Sequence, residues 1–418
     1  MSAMSNITMP EEGEFTEPTG LALALGFFFA FRIFLVYFSV HVLGMDARAG
    51  AAATLACGLL FLMLVCFQSL GCYRIALRSM LHVASIRWVF LFLGFSCCSL
   101  AWSETVSLTT SIAYWCGVAM DVASVIVLIR AGSLTAVASA LFKGFIAGAC
   151  FIALIAWLLP ANPIDLRLGD EDFFNTNQIG NVCAFGILLA QYLMRHRKAH
   201  FGFVTAFLAV TLLRSLSKTT LVAFVVAECF LLIQDQSMSR KMKLWVTTAA
   251  LLAVFAFWGL FEAYYDIYTS AGNQAETFTG RTAIWAFALE GGIEKPWIGH
   301  GFDSMWKVVP PFGPDQFEAR HAENELLQQF YAYGMAGLVI LVGVYGSLVR
   351  QFRKLPPSPL KTVLLSILLY VVVRGAAEAE PFDLLLPLWL TVVLALLAEQ
   401  ARCAGAQSLL LLPEREVA

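Results

Sequence analysis

Charge is scarce in this chain. Asp, Glu, Lys and Arg together supply 13% of its 418 residues, while 59% are hydrophobic. A soluble domain carries about a quarter of its residues as charges. With a mean hydropathy of +0.75, water is excluded as the main solvent. The net charge of −2 offers nothing to a nucleic-acid partner. No Cys-x-x-Cys pair occurs, most of the ten cysteines lie in apolar runs, and the long polar segment has none. That excludes a disulfide framework and a cysteine zinc site. There is no Gly-x-Gly-x-x-Gly and no P-loop; Gly299-His300-Gly301 follows no strand, so nucleotide binding is not expected. The histidines, at 41, 82, 196, 200, 300 and 321, do not fall at metal-ligand spacings, and neither metal nor other cofactor is expected. The first nineteen residues lack the basic start and cleavage site of a signal peptide. The first helix is therefore expected to be retained.

Apolar runs are what the chain has in plenty. A crossing helix needs about 20 apolar residues. Twelve stretches approach that length: 20–43, 49–70, 86–102, 111–130, 136–160, 178–194, 200–217, 218–235, 243–261, 326–349, 361–375 and 384–400. The reading is an all-α, polytopic transmembrane bundle of about twelve spans, with eleven if 200–235 is a single helix. Lys and Arg then collect on one side: Arg74, Arg78 and Arg87; Arg195, Arg197 and Lys198; Arg240, Lys241 and Lys243; Arg350, Arg353, Lys354 and Lys361. The opposite connections are acidic, with Glu104, Asp165, Asp170, Glu171, Asp172, Glu378, Glu380 and Asp383. Basic loops stay in the cytoplasm. This places a tail of residues 1–19 and another of 401–418 inside, spans one to nine over 20–261, an external loop over 262–325, and spans ten to twelve over 326–400. Inside the spans, Arg32 and Asp121 are costly unless paired, which predicts an ion pair between them. Glu228 and Lys143 are further intramembrane charges, open to a proton-relay role.

The 262–325 segment is long enough to expect a function. Residues 281–293 place Ile284, Trp285, Ala288 and Leu289 on one face of a helix suited to the membrane interface. Outward-side cations are few: Arg214 and Lys218 at the 214–218 turn, Arg281 at the start of the interfacial helix, and Arg374 near Glu378. Guanidinium forks and ammonium groups match phosphate oxygens, so this cluster suits a lipid pyrophosphate. The same cations would equally serve acidic loop residues or phospholipid headgroups, and Arg374 could simply pair with Glu378 at i+4. His321-Ala-Glu323-Asn324-Glu325 offers an imidazole and carboxylates able to take a proton from a hydroxyl, or an acidic first turn that only favours a helix dipole.

Gly280-Arg-Thr-Ala-Ile-Trp285, Lys295-Pro-Trp-Ile-Gly-His-Gly-Phe302, and Asn324 followed after nine residues by Gly334-Met-Ala-Gly337 resemble the signature around the large loop of the O-antigen ligase and polymerase superfamily. Phe174-Asn-Thr-Asn177 and Ser215-Leu-Ser-Lys-Thr219 look like its asparagine motif and serine-rich turn. The likeness spans about the last 250 residues of the chain, and the Gly-Arg-Thr-x-x-Trp form is closest to succinoglycan-type exopolysaccharide polymerases. The resemblance implies a membrane fold of the lipid-dependent glycosyltransferase (GT-C-like) kind in a bacterial inner membrane. It implies an undecaprenyl-pyrophosphate-linked glycan donor, and an acceptor that is another glycan or lipid A-core. Arg281 and Lys218, with Arg214 and Arg374 as neighbours, would hold the pyrophosphate; Trp285, Asn177 and Asn324 would support the site. Many relatives carry histidine where this chain has Glu323, so either Glu323 or His321 is the base. A polymerase, a ligase to lipid A-core or protein, and a flippase for lipid-linked sugar are the competing readings. A flippase often shows internal repeats, and none stands out.

Overall fold

The computed structural model describes residues 18–70, 76–160, 166–169, 174–197, 200–235, 238–270, 281–305 and 321–410. Helices fall on all twelve apolar stretches. In chain order they are α1 Thr19–His41, α2 Ala47–Gln68, α3 Leu77–Met80, α4 Ala84–Ser99, α5 Leu108–Ala131, α6 Leu134–Leu158, α7 Thr176–Arg197 and α8 Gly202–Ser215. They continue as α9 Lys218–Gln234, α10 Arg240–Ala256, α11 Trp258–Ser270, α12 Arg281–Glu294, α13 Glu325–Arg353, α14 Pro359–Gly375 and α15 Leu388–Leu410. No strand occurs among the described residues. By length and apolarity, five of these helices are able to cross a membrane, namely α1, α2, α5, α6 and α13, or six if α10 and α11, bent by 50°, form one broken span. The chain is a multi-pass helical membrane protein. The expected ninth span, ending at 261, runs on into α11, which reaches Ser270 inside the expected loop.

Small residues set the closest packing. A Cβ at Gly26 would lie 2.0 Å from the Leu141 carbonyl oxygen, and one at Gly144 would lie 1.9 Å from that of Leu23. Only glycine lets the α1 and α6 backbones meet this closely, which is how helices associate where lipid removes the hydrophobic drive. Two of the charged groups that fall within helices have partners. Arg32 meets Asp121 at 2.5 Å, which is the ion pair expected from the sequence. Glu228 accepts a hydrogen bond from Gln191 at 2.7 Å, whereas Lys143 is exposed on the bundle surface.

The feature that positions the segment after α12 is a break in α13. Gly334 has φ 63° and ψ −153°, a region essentially reserved for glycine. The freed backbone donors of Met335 and Ala336 are satisfied by the carbonyls of Pro296 (2.7 Å) and Trp297 (3.1 Å). In return, His300 and Gly301 donate to the carbonyls of Tyr331 (3.0 Å) and Ala332 (2.7 Å). The Lys295–Phe302 segment therefore plugs into the break at Gly334-Met-Ala-Gly337. His300 is a fastener in that plug: buried, stacked on Tyr331 at 4.6 Å, and hydrogen-bonded to Glu104 and the Gly291 carbonyl. Lys295 also pairs with Glu104. Helix α12 packs its Ile284, Ala288, Gly291 and Gly292 edge inward, leaving Leu289 47% exposed. The inward stripe is thus narrower than the face read from the sequence.

Candidate functional site

Helix α8 ends where Leu216 turns left-handed, at φ 57°, and α9 starts two residues later at Lys218. This turn is tied to the start of α7. Thr176 Oγ1 donates to the Ser215 carbonyl, and Ser217 Oγ donates to Asn177 Oδ1 at 2.8 Å. Gly180 lets α7 approach, with a Cβ there falling 3.1 Å from that of Ser217. The asparagine motif ending at Asn177 and the serine turn are halves of one junction.

Arg281, the first residue of α12, binds that junction to two other segments. Its Nη1 donates to Thr219 Oγ1 at 3.2 Å, its Nη2 to Glu378 Oε1 at 2.8 Å, and its Nε to Glu323 Oε2 at 3.0 Å. A cation at a helix N-terminus is disfavoured by the dipole, and two carboxylates offset that here. Glu323 itself sits at φ 49°, which costs a non-glycine residue of the order of 1 kcal/mol or more. It is pinned at both ends, since Trp285 Nε1 donates to its carbonyl at 3.2 Å. His321 stands beside it: the Glu323 N–H donates to His321 Nδ1 at 3.3 Å, and the nearer carboxylate oxygen is 3.8 Å from the same nitrogen. Asn324 caps α13 through Leu327 N (3.1 Å) and donates to the Ala376 carbonyl (2.9 Å).

Glu378 is the hub. It accepts from Arg281, from Asn177 Nδ2 at 2.9 Å and from Arg374 Nη2 at 3.4 Å. Burial and the nearby Glu323 carboxylate push its pKa upward, against the pull of Arg374, His321 and Arg281. Arg374 faces Glu378 and Glu380, so it reaches the site through Glu378.

Between these groups lies a pocket of about 170 Å³ lined by Arg167, Asn177, Lys218, Thr219, Arg281, Ile284 and Glu323. Small-molecule pockets run to about 300–1,000 Å³, so this one has the scale of a headgroup. Arg167 and Lys218 share the ring of Tyr264, each cation 5.6 Å from its centroid. Arg214 points elsewhere, donating to the Leu166 carbonyl at 2.7 Å and so bracing the segment that presents Arg167. Leu166, Leu216 and Glu323, all of positive φ, flank the pocket, and strained backbone of this kind gathers at functional sites.

Of the residues singled out from the sequence, Arg281, Lys218, Glu323 and Asn177 line the pocket. Trp285 and His321 touch Glu323, and Arg214, Arg374 and Asn324 sit one contact away. Sequence reasoning missed Arg167 and the central place of Glu378. The available signal for Arg167 was its basic charge in a connection otherwise noted for its acids.

The chain is similar to known proteins. The sequence profile described as O-antigen ligase matches residues 203–342, which includes the serine turn, Arg281, Glu323 and the Gly334 break. The chain is 26% identical over 380 residues to the exopolysaccharide production protein ExoQ of Rhizobium meliloti, covering 84% of this chain and 83% of that one. It is 27% identical over 233 residues to an O-antigen ligase of Pseudomonas aeruginosa, covering 55% and 54% respectively. These matches return the superfamily that the motifs resemble.

Proposed function

With an O-antigen ligase domain on a helical membrane scaffold as the premise, we propose that this chain is a glycan polymerase. It moves an oligosaccharide from a polyprenyl pyrophosphate to a hydroxyl of a second lipid-linked repeat. In this reading the chain crosses the inner membrane twelve times, with both termini in the cytoplasm and the pocket facing the periplasm. The one-sided collection of Lys and Arg supports that orientation. The observation that carries the chemistry is the convergence of Arg167, Lys218 and Arg281 on one small pocket beside Glu323. Arg281 and the 214–218 turn meet through Thr219, as a shared diphosphate site requires.

The reaction follows from the contacts. The acceptor hydroxyl attacks the anomeric carbon, the bond from that carbon to the phosphate oxygen breaks, and the diphosphate leaves with the bonding electron pair. Charge builds on the leaving group, where fixed cations help most. The hydroxyl proton passes to Glu323, with His321 orienting it. Glu323 is paired with Arg281. A diphosphate drawing on the same guanidinium weakens that grip, which makes the base available when the donor is bound.

The polymerase reading is supported by the match to ExoQ, which extends over most of both chains. The second reading, ligation to lipid A-core or another acceptor, is favoured by the profile's description and by the O-antigen ligase match. Reconstitution with undecaprenyl-pyrophosphate oligosaccharide alone separates them. Longer lipid-linked chains indicate a polymerase, and product only after lipid A-core is added indicates a ligase. No transfer in either case, with substrate translocation instead, overturns both.

A further inference from the structure

A second and larger cavity, of about 540 Å³, lies at the other end of α13. From Glu325 beside the pyrophosphate pocket to Arg350 is roughly 35–40 Å of helix, the depth of a bilayer with its headgroups. The cavity is a groove between the start of α4 and the second half of α13, with α15 behind it. Its two ends differ in chemistry. One end is apolar, formed by Trp88, Val342 and Gly346, with Val342 64% exposed on the bundle surface. At Gly346 an added Cβ would meet nothing within 4 Å, so the groove is open there. The other end carries Arg350, Lys354 and Arg402 against a single acid, Glu399. Glu399 is occupied by Arg402 at 2.5 Å. Arg350 and Lys354 are exposed side chains at the rim. The floor is polar and internally bonded: Ser347 donates to Ser85 at 3.0 Å, Ser85 donates to Gln351 at 3.1 Å, and Gln351 Nε2 donates to the Ala395 carbonyl at 2.8 Å.

We propose that this groove binds one anionic phospholipid of the surrounding membrane, its phosphate on Arg350 and Lys354 and an acyl chain along Trp88, Val342 and Gly346. Charge decides the occupant. Basic pockets between helices at a membrane face select anionic headgroups, and an apolar wall running into the bilayer has no use for a free anion. The site is independent of the glycan chemistry at the opposite face.

The test is native mass spectrometry of the full-length protein in detergent, titrated with phosphatidylglycerol and with phosphatidylcholine of the same acyl chains. One phosphatidylglycerol adduct is expected, preferred over phosphatidylcholine by about thirtyfold for two basic contacts. Arg350→Gln with Lys354→Gln should abolish that preference, while Arg240→Gln with Lys241→Gln, at exposed basic positions of α10, should retain it. Gly346→Leu, which fills the open part of the groove, should remove the adduct with all charges kept. Equal adducts of both lipids overturn the proposal, as does equal loss in the two double variants, which indicates diffuse charge attraction. Stabilisation by inorganic phosphate alone, with no lipid adduct, overturns it in favour of a free-anion site.

Discussion

Arg281→Ala separates the structural role of the guanidinium from its role in transfer. Arg281 is 15% exposed and contacts the side chains of Glu323 and Glu378, which are 18% and 5% exposed. Removing one partner of a buried pair costs about 3–5 kcal/mol, because the other charge stays behind. Arg374 still faces Glu378 at 3.4 Å, so the expected loss is nearer about 2 kcal/mol. Glu378 is the more deeply buried of the two acids, and Glu378→Gln in the same chain should recover most of that stability. Transfer behaves differently. Loss of one preorganised group facing the leaving diphosphate costs about 10²–10³-fold in rate, and neutralising Glu378 restores none of it. The two readouts are the thermal midpoint in detergent and the initial rate of glycan transfer in proteoliposomes. The single variant should fall in both, and the double variant should recover only the midpoint. A double variant within tenfold of wild-type rate would mean that Arg281 serves to neutralise Glu378, and the pyrophosphate assignment would be lost.

The remaining predictions concern neighbouring groups. Glu323→Gln should lower the transfer rate at saturating donor by about 10²–10⁴-fold, and His321→Ala by less. The reverse order makes His321 the base. Arg167→Gln should weaken donor binding, raising KM about tenfold with a smaller change in kcat, as expected for loss of one charge-assisted contact; an unchanged KM removes Arg167 from the pocket's function. Gly334→Ala should destabilise the fold by about 1–3 kcal/mol, since its Cβ would lie 2.5 Å from the Trp297 carbonyl carbon; a midpoint equal to wild type refutes the docking account. Asp383 gives a pH signature. Burial pushes its pKa from the ordinary 3.8 up to about 7, despite the backbone donors of Leu384 and Leu388. A carboxyl raised in the fold binds its proton more tightly there than in the unfolded chain. Stability is therefore greatest at acid pH and falls as pH rises from about 4 through about 7. Asp383→Asn should flatten that slope, and an unaltered slope in calorimetric scans would contradict the burial argument.

The helices could be read from the chain itself, because apolar length is a local property. All twelve stretches are helical, and intramembrane Arg32 and Asp121 found each other because no other arrangement of two such charges is affordable in lipid. Half of the pocket was visible as well, through Arg281 and Lys218, as rare cations on an acidic side. Arg167 was not, since a single arginine among acids carries no period or spacing. Nor was the hub role of Glu378, which the sequence offers only as a partner at i+4. These depend on four separated segments arriving at one place. That arrival is set by the plug of Lys295–Phe302 into the break at Gly334 and by the Asn177–Ser217 bond, contacts between residues far apart in the chain. Sequence settled which segments are apolar and which connections are basic. Folding decided which charges share a pocket, because electrostatic coupling depends on distance through space, and that distance is fixed only when the helices pack.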